Sequence, residues 1–189
     1  MNGEKIVNGL NVSQVTGTIE SIRQQPALGK RLFQATNEWV SGTHSQATVK
    51  EFHAGGKEDA SRSPVSFDLD EPPTLAGRNQ GPNPAEYLLV GLSGCLTRAL
   101  VTHASIKGIE LKDVRSRVEG ELELQGVLGI SEQVPVGFKK ISVFFDIDAD
   151  ISEEKKEDLV RMARKHSPVF HTLSQATPVR VHLEEMAAA

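Results

Sequence analysis

This sequence is poorest in cysteine, in basic clusters and in long unbroken apolar runs. The 189-residue chain has one cysteine, which excludes an internal disulfide and suits a reducing cytoplasm. Its 21 Lys and Arg against 25 Asp and Glu give a net charge of -4, with no basic run longer than a pair to attract nucleic acid or anionic lipid. No stretch reaches about 18 consecutive apolar residues, and no signal peptide follows Met1. We therefore expect a cytoplasmic protein without nucleic-acid or membrane partners.

The length fits one domain with an N-terminal extension. Residues 1–30 are polar with a weak helical pattern at Val15, Ile19 and Ile22 that Pro26 ends, which predicts an arm with a short helix. Residues 31–185 carry the periodic segments and form the predicted domain. Residues 186–189 are predicted to be a flexible tail.

Strand-like and helix-like segments alternate in a way that predicts an α+β fold with antiparallel strands. The predicted helices begin at Asn83 and at Asp150 or Ser152, and they end at Gly108 and Pro168. A loop rich in Pro and Gly is expected over 70–83. Turns are expected at Gly42 and at Gly55-Gly56, and strands over 32–40, 46–52, 65–69, 114–122, 141–147 and 177–183.

The helix after Asn83 has the clearest local signals. Asn83 and Glu86 form an N-x-x-E capping box around Pro84 at the first helical position. Its apolar residues cover nearly the whole circumference, so we expect burial on most sides. A helix of about 23 residues is about 35 Å long, which a small domain cannot surround alone, and Gly91 and Gly94 permit close backbone approach. We therefore expect a homodimer in which two copies of this helix pack together.

Cys95 lies in the middle of that helix. Free cysteine is among the most buried residue types, so inert packing is the simplest interpretation. A reactive role needs a thiolate stabilised by a cation or dipole and reachable by a substrate. Glu86 is nine residues away, on the opposite face and about 13 Å along the axis, so capping explains it unless a dimer brings it to the partner's cysteine.

Other catalytic and cofactor motifs are not supported. His103 is too far along the helix to share a metal ion with Cys95, and His166 and His171 are separated by Ser-Pro. The Gly91–Cys95 segment lacks the last glycine and the strand-to-helix turn of a nucleophile elbow. No glycine-rich loop has the pattern of a phosphate or dinucleotide site. We expect neither metal nor cofactor.

Several segments together resemble the OsmC/Ohr family of organic-hydroperoxide reductases, in order and in spacing over about residues 31–185. They are Asp70–Pro73, Gly81–Leu89, Gly91–Cys95, Gly126–Gly129, and His166–Val169 with Thr172-Leu173. The resemblance implies an intertwined α+β dimer with strands wrapped around two central helices, and a reactive cysteine, matched by Cys95, near the subunit interface.

The chain also departs from the peroxidase pattern. The second cysteine of a Cys-Pro-Val motif is replaced by Ser167, and a hydroxyl cannot resolve a sulfenic acid as a disulfide, so turnover would need an external thiol reductant. The glutamate expected directly after Asn-Pro is Ala85, with Glu86 displaced by one, and the early strand offers His44 instead of an arginine.

The site candidates are therefore Cys95, Glu86, His44 and Ser167, with His166 and His171 as weaker additions. His44 would orient or transfer a proton, and Ser167 would be a hydrogen-bonding neighbour. Two functions remain open. One is a single-cysteine peroxide reductase or sensor acting on a small hydroperoxide, which predicts rapid sulfenic acid formation. The other is a non-catalytic homodimer that binds a small apolar ligand at the subunit interface, which predicts an inert thiol.

Overall fold

The computed structural model of the chain describes residues 4–50, 52–54, 57–59 and 63–183, which form an α+β fold with every strand pair antiparallel. The helices are α1 (Val12–Gln24), α2 (Pro84–Ile106), α3 (Leu124–Val127), α4 (Glu153–Lys165) and α5 (Pro168–Ser174). The strands are β1 (Ile6–Val7), β2 (Leu10–Asn11), β3 (Arg31–Phe33), β4 (Thr36–Ser41), β5 (His44–Val49), β6 (Phe52–Ala54), β7 (Lys57–Asp59), β8 (Val65–Leu69), β9 (Asp113–Glu121) and β10 (Lys140–Asp148).

The start and end of α2 confirm the sequence prediction. The Asn83 side chain accepts a hydrogen bond from the Glu86 amide at 2.9 Å, and the Glu86 carboxylate accepts one from the Asn83 amide at 2.8 Å. These reciprocal bonds satisfy two amide groups that the first helical turn leaves without a partner. At the other end Gly108 has a φ of +72°, a left-handed conformation that stops the helix.

Within one chain α2 is buried on one side only, so the expected burial on most sides is not met by a single copy. Its buried face consists of Leu92, Leu96, Ala99, Leu100 and Ala104. This face packs against β9, α4 and α5, with Leu159 and Ala163 of α4 fully buried. The opposite face is exposed at Val90, Gly91, Gly94 and Arg98.

By length and composition alone α2 also meets the requirements for a membrane-spanning helix, as core helices of soluble proteins do. It is the one helix of the described residues with this property. It meets these requirements by its mean hydropathy, although it holds no run of about 18 consecutive apolar residues. The packing of α2 against β9, α4 and α5 identifies it as the core helix of this fold.

The two-stranded sheet of β9 and β10 confirms the predicted alternation. Val118 pairs with Val143, and Val114 pairs with Ile147. Because side chains alternate across a strand, these residues all point to the face that packs on the core. Through β9 this sheet packs against the buried face of α2.

The predicted strands over 32–40 and 46–52 are each divided in two. β3 pairs with β6, whereas β4 pairs with β5, which in turn pairs with β8. The two halves of each predicted strand therefore belong to different sheets. A continuous run of β-forming residues gives no sign of this division. The Gly42 turn forms as predicted, with a φ of +58° and the Trp39 indole donating to the Gly42 carbonyl at 3.0 Å. Gly55-Gly56 lie outside the described residues.

The C-terminal third departs most from the sequence predictions. Ser152, not Asp150, caps α4, and the exposed Asp150 pairs with Lys112 at 2.7 Å. Pro168 does end α4, but it also occupies the first position of α5, a helix the sequence analysis missed. The strand predicted over 177–183 does not form, and its apolar side chains Val179, Val181 and Leu183 are exposed. Alternation of apolar and polar residues is not enough to form a strand when no other strand of the chain pairs with the segment. Residues 186–189 lie outside the described residues.

The predicted helix of the N-terminal arm is α1, which Asn11 caps. Before it, the β1–β2 turn holds Asn8 at a φ of +52° and places its side chain against the end of α2. The Asn8 amide donates to the Ser105 hydroxyl at 3.0 Å and to the Ile109 carbonyl at 2.9 Å, and its oxygen accepts from the Leu111 amide at 2.8 Å. One side chain thus fastens the arm to the domain.

Substituting Asn8 tests this attachment. Asn8→Gly accepts the left-handed backbone but removes three hydrogen bonds, and we expect it to lower the free energy of unfolding by about 2 kcal/mol in a urea titration. Asn8→Ala should lose more, because a Cβ is unfavourable at positive φ. Unchanged stability of Asn8→Gly would show that the arm does not depend on these bonds.

Candidate functional site

Cys95 lies at the border between the buried and open faces of α2 and is half-buried. Residues three and four positions away are its neighbours on the helix surface. On one side these are Leu92 and Ala99, which are buried, and on the other Gly91 and Arg98, which are exposed. The sulfur therefore belongs neither to the sealed core nor to open solvent.

An apolar cleft of about 290 Å³ is lined by Leu92, one turn before Cys95, but not by Cys95 itself. The cleft lies between α2, α5 and β10, and Phe138 closes one side. Its other apolar lining residues are Ile141, Val143, Phe170 and Leu173, and its rim carries Lys139, Lys140 and Ser174.

Ser167 is fully buried and is the N-cap of α5. Its hydroxyl oxygen accepts a hydrogen bond from the Phe170 amide at 3.1 Å. Serine is among the best N-cap residues because its oxygen satisfies an amide of the first turn. The hydrogen bond predicted for Ser167 therefore serves its own helix.

His44 is the first residue of β5 and is mostly buried. Its Nε2 lies 2.9 Å from the Asp68 carboxylate of β8, and this hydrogen bond lowers the pKa of Asp68. The backbone carbonyl of Asp68 accepts a hydrogen bond from the Tyr87 hydroxyl at 3.0 Å. His44 is thus oriented by a carboxylate on the neighbouring strand, and that strand is tied to the first turns of α2.

Sequence reasoning missed Asp70, which is only 2% exposed. Its carboxylate accepts hydrogen bonds from the Thr43 hydroxyl at 2.6 Å and from the amides of Glu71, Arg78 and Gln80 at 2.8, 2.9 and 3.2 Å. The Thr43 bond above all, then the three amides, hold the pKa of Asp70 well below its usual range. The Asp-x-x-Pro context in the sequence gives no sign of these long-range donors.

Two glycines allow the loop after Asp70 to fold back closely on the preceding backbone. A Cβ at Gly77 would lie 1.7 Å from the Glu71 carbonyl oxygen, and one at Gly81 would lie 2.0 Å from that of Asp68. Both distances are far inside contact range, so only glycine fits. The predicted surface loop is therefore an ordered support for the start of α2.

The other candidates have local structural roles. Glu86 is exposed and engaged in the capping box. The His166 ring lies 4.3 Å, centroid to centroid, from that of His103. His171 donates from Nε2 to the Lys165 carbonyl at 3.1 Å.

The structure does not join the predicted catalytic residues within one chain. Among the residues that it describes, no hydrogen bond or ion pair links any two of Cys95, His44, Glu86 and Ser167. Nor do three His, Cys, Asp or Glu side chains in this part of the chain lie close enough to hold a metal ion. Arg98 is the additional candidate, since it is a cation one turn after Cys95, and the spacing of three residues is the signal that would have found it.

A long helix with a cysteine at mid-length, packed on an antiparallel hairpin and followed by two short helices, places the chain in the class of α+β proteins with a cysteine-bearing core helix. Residues 77–182, more than half of the chain, match the model of the family described as OsmC-like protein. The chain belongs to the OsmC-like protein family, as the sequence resemblance predicted.

Solved structures agree on the fold. An OsmC-like protein from Mycoplasma pneumoniae matches with a TM-score of 0.58 and 19% identity over 75% of this chain and 86% of that one. An organic hydroperoxide resistance protein OsmC from Legionella pneumophila matches with a TM-score of 0.52 and 21% identity, over 76% and 91% of the two chains. A Vibrio cholerae OsmC-like protein of unknown function matches with a TM-score of 0.54 and 9% identity, over 74% and 92%. No curated protein matches significantly.

Asp70→Asn tests the support of the loop. Because the folded-state pKa of Asp70 is lowered, its ionisation stabilises the fold above the unfolded pKa of about 4, and this contribution is lost as the pH falls below it. We expect Asp70→Asn to unfold at a lower urea concentration at neutral pH, with the difference from the native protein shrinking in acid. Asp150→Asn, at an exposed ion pair, is the control and should change little. Equal neutral-pH midpoints for native protein and Asp70→Asn would refute this role.

Proposed function

We propose that the protein is a homodimeric, single-cysteine reductase or sensor of organic hydroperoxides that acts through Cys95. The observation that carries this proposal is the position of Cys95, half-exposed, with the cation of Arg98 one turn after it and an apolar cleft one turn before it. In this proposal the Arg98 cation would attract the negative charge on sulfur during the attack, and the cleft would admit the alkyl part of a peroxide. The Legionella pneumophila neighbour is named an organic hydroperoxide resistance protein, which supports the same class of substrate.

The chemistry of this proposal balances without a second protein thiol. The Cys95 thiolate attacks the distal oxygen of the hydroperoxide, the O–O bond breaks, and an alcohol leaves after taking up a proton. The resulting sulfenic acid reacts with an external thiol to give a mixed disulfide and water, and a second external thiol releases Cys95. A reducing cytoplasm would supply these thiols. Ser167 takes no part in electron transfer and holds α5 in place.

The proposed homodimer rests on the open face of α2. A Cβ at Gly91 or Gly94 would meet nothing within 4 Å among the described residues, so this face has room for a close partner. Large apolar side chains on β3 and β4 are also exposed, with Phe33 at 72% and Trp39 at 75%. Monomeric proteins seldom leave such surfaces open, and a second copy of the chain would cover both.

The dimer also gives His44 a role. Within one chain His44 has no link to Cys95, but a sheet of β4, β5 and β8 laid over the partner's α2 would bring the His44–Asp68 pair to the partner's cysteine. Asp68 would keep the imidazole oriented while it transfers a proton to the leaving alkoxide. Glu86 would reach a cysteine only in the same way.

The second candidate function is ligand binding without catalysis. It is favoured by the apolar cleft of about 290 Å³ beside α5, whose lining would hold a small apolar molecule even if the thiol is inert. The two functions differ in one measurable property, the oxidation of Cys95 by peroxide.

Peroxide consumption discriminates between them. With tert-butyl hydroperoxide and a small thiol reductant, we expect the native protein to consume peroxide and to show a sulfenic acid at Cys95 by mass spectrometry, whereas Cys95→Ser should do neither. Arg98→Ala should slow the oxidation by up to about threefold, because an exposed cation contributes less than about 1 kcal/mol, and Arg98→Lys should keep most of the rate. Equal background consumption by native and Cys95→Ser protein would leave ligand binding as the function.

The oligomeric state is tested at Gly94. In sedimentation the native protein should have twice the 20.5 kDa mass of the chain, and Gly94→Leu should run as a monomer because a large side chain blocks close helix approach. Gly17→Leu is the matched control, since a Cβ at Gly17 of α1 also meets nothing within 4 Å of the described chain, and it should stay dimeric. A native protein of monomer mass would contradict the proposal.

A further inference from the structure

Two histidines from distant parts of the sequence meet where α2, α4 and α5 join. His103 lies in the last turns of α2, and His166 is the C-cap residue of α4. Their rings are 4.3 Å apart between centroids and tilted by 42°. This distance brings the two imidazoles into direct contact, with the His103 ring half-buried and His166 exposed.

The charges around His103 all have the same sign. Burial of the half-buried ring, and then the positive charges of His166, Lys107 and Arg98, lower the pKa of His103. On the neighbouring elements, Arg164 of α4 lies over the Phe170 ring, and His171 of α5 binds the Lys165 carbonyl. Among the residues that the structure describes, the charged groups that act on His103 are all cations, so a second proton on the pair is not offset.

His166 lies immediately before the start of α5. Ser167 follows it directly and is the fully buried N-cap of α5. From there α5 places Phe170 against the core and Leu173 in the cleft that Leu92 also lines. A displacement of His166 away from α2 would therefore be transmitted to the cap of α5 and to one wall of the cleft.

We propose that the His103–His166 pair is an acid-sensitive latch that holds α5 on α2 when the rings are not both charged and releases it when both are protonated. Two neutral or singly protonated rings stack, whereas two cations at this distance repel each other. The latch is independent of the peroxide chemistry and would act on the cleft whichever ligand occupies it.

The direction of the pH effect follows from proton binding. An unfolded histidine has a pKa of about 6.5. The pKa of His103 is lowered in the folded protein, so the states in which the rings are apart bind protons more readily and acid favours them. The latch should be fully effective above that value and should weaken as the pH falls through it. Each unit by which the pKa is lowered corresponds to about a tenfold rise in the opening constant in acid.

The test is hydrogen exchange of residues 168–174, corrected for the intrinsic effect of pH, together with urea unfolding, at about pH 7.5 and about pH 5.5 on either side of the histidine pKa. For the native protein we expect α5 to open about tenfold more often at the lower pH. His166→Gln removes the charge of that ring and should reduce this change, while the part that comes from burial of His103 remains. His166→Arg fixes one charge permanently, so α5 should stay closed at the higher pH, where His103 is neutral, and should open at the lower pH, where one proton on His103 completes the pair of charges.

His182→Gln, at an exposed position outside the junction, is the control and should keep the native pH response. An NMR titration of the native imidazoles gives a readout that needs no variant, and we expect the second proton to enter the pair at clearly lower pH than the first. Independent titration of the two rings, or a His166→Gln protein with the full native response, would overturn the latch.

Discussion

The structure depends on the removal of α2 from water. Its buried face, centred on Leu96 and Leu100, holds together the β9–β10 sheet, α4 and α5. The capping box at Asn83 fixes where the helix begins, and the Asp70 loop fixes how the chain arrives there. One chain has too few elements to cover the opposite face, because its remaining strands form sheets of their own. The proposed second copy is thus a consequence of how long and how apolar this helix is.

Features set by neighbouring residues could be predicted from the sequence. The capping box, the end at Gly108 and the alternation of β9 and β10 all depend on residues within a few positions of one another, and all appear as expected. The predicted features that failed depend on distant partners. The run over 32–40 divides because its halves pair with different strands, and 177–183 stays unpaired because no described strand lies beside it.

In the candidate site, too, features set by nearby residues could be predicted and features set by distant partners could not. The positions of Cys95 and Glu86 follow from helix geometry, and the local role of Ser167 could have been inferred from Ser-Pro, a usual start of a helix. The partners of His44 and Asp70 could not, since Asp68 and Thr43 reach them only through sheet pairing and loop closure over more than 20 residues. A histidine with an oriented imidazole and a carboxylate with four donors are visible only in three dimensions.

Ser167 stands where the resemblance to peroxidases implies a second cysteine, and its hydroxyl has a structural role of its own. A hydroxyl oxygen accepts the Phe170 amide well, whereas sulfur is a weak acceptor, so serine makes a better cap for α5. A resolving cysteine must also leave such a position to meet the first sulfur, which favours a loosely held helix start. With serine, the first turn of α5 is well capped, and the cap fixes the start of a helix whose Phe170 packs on the core.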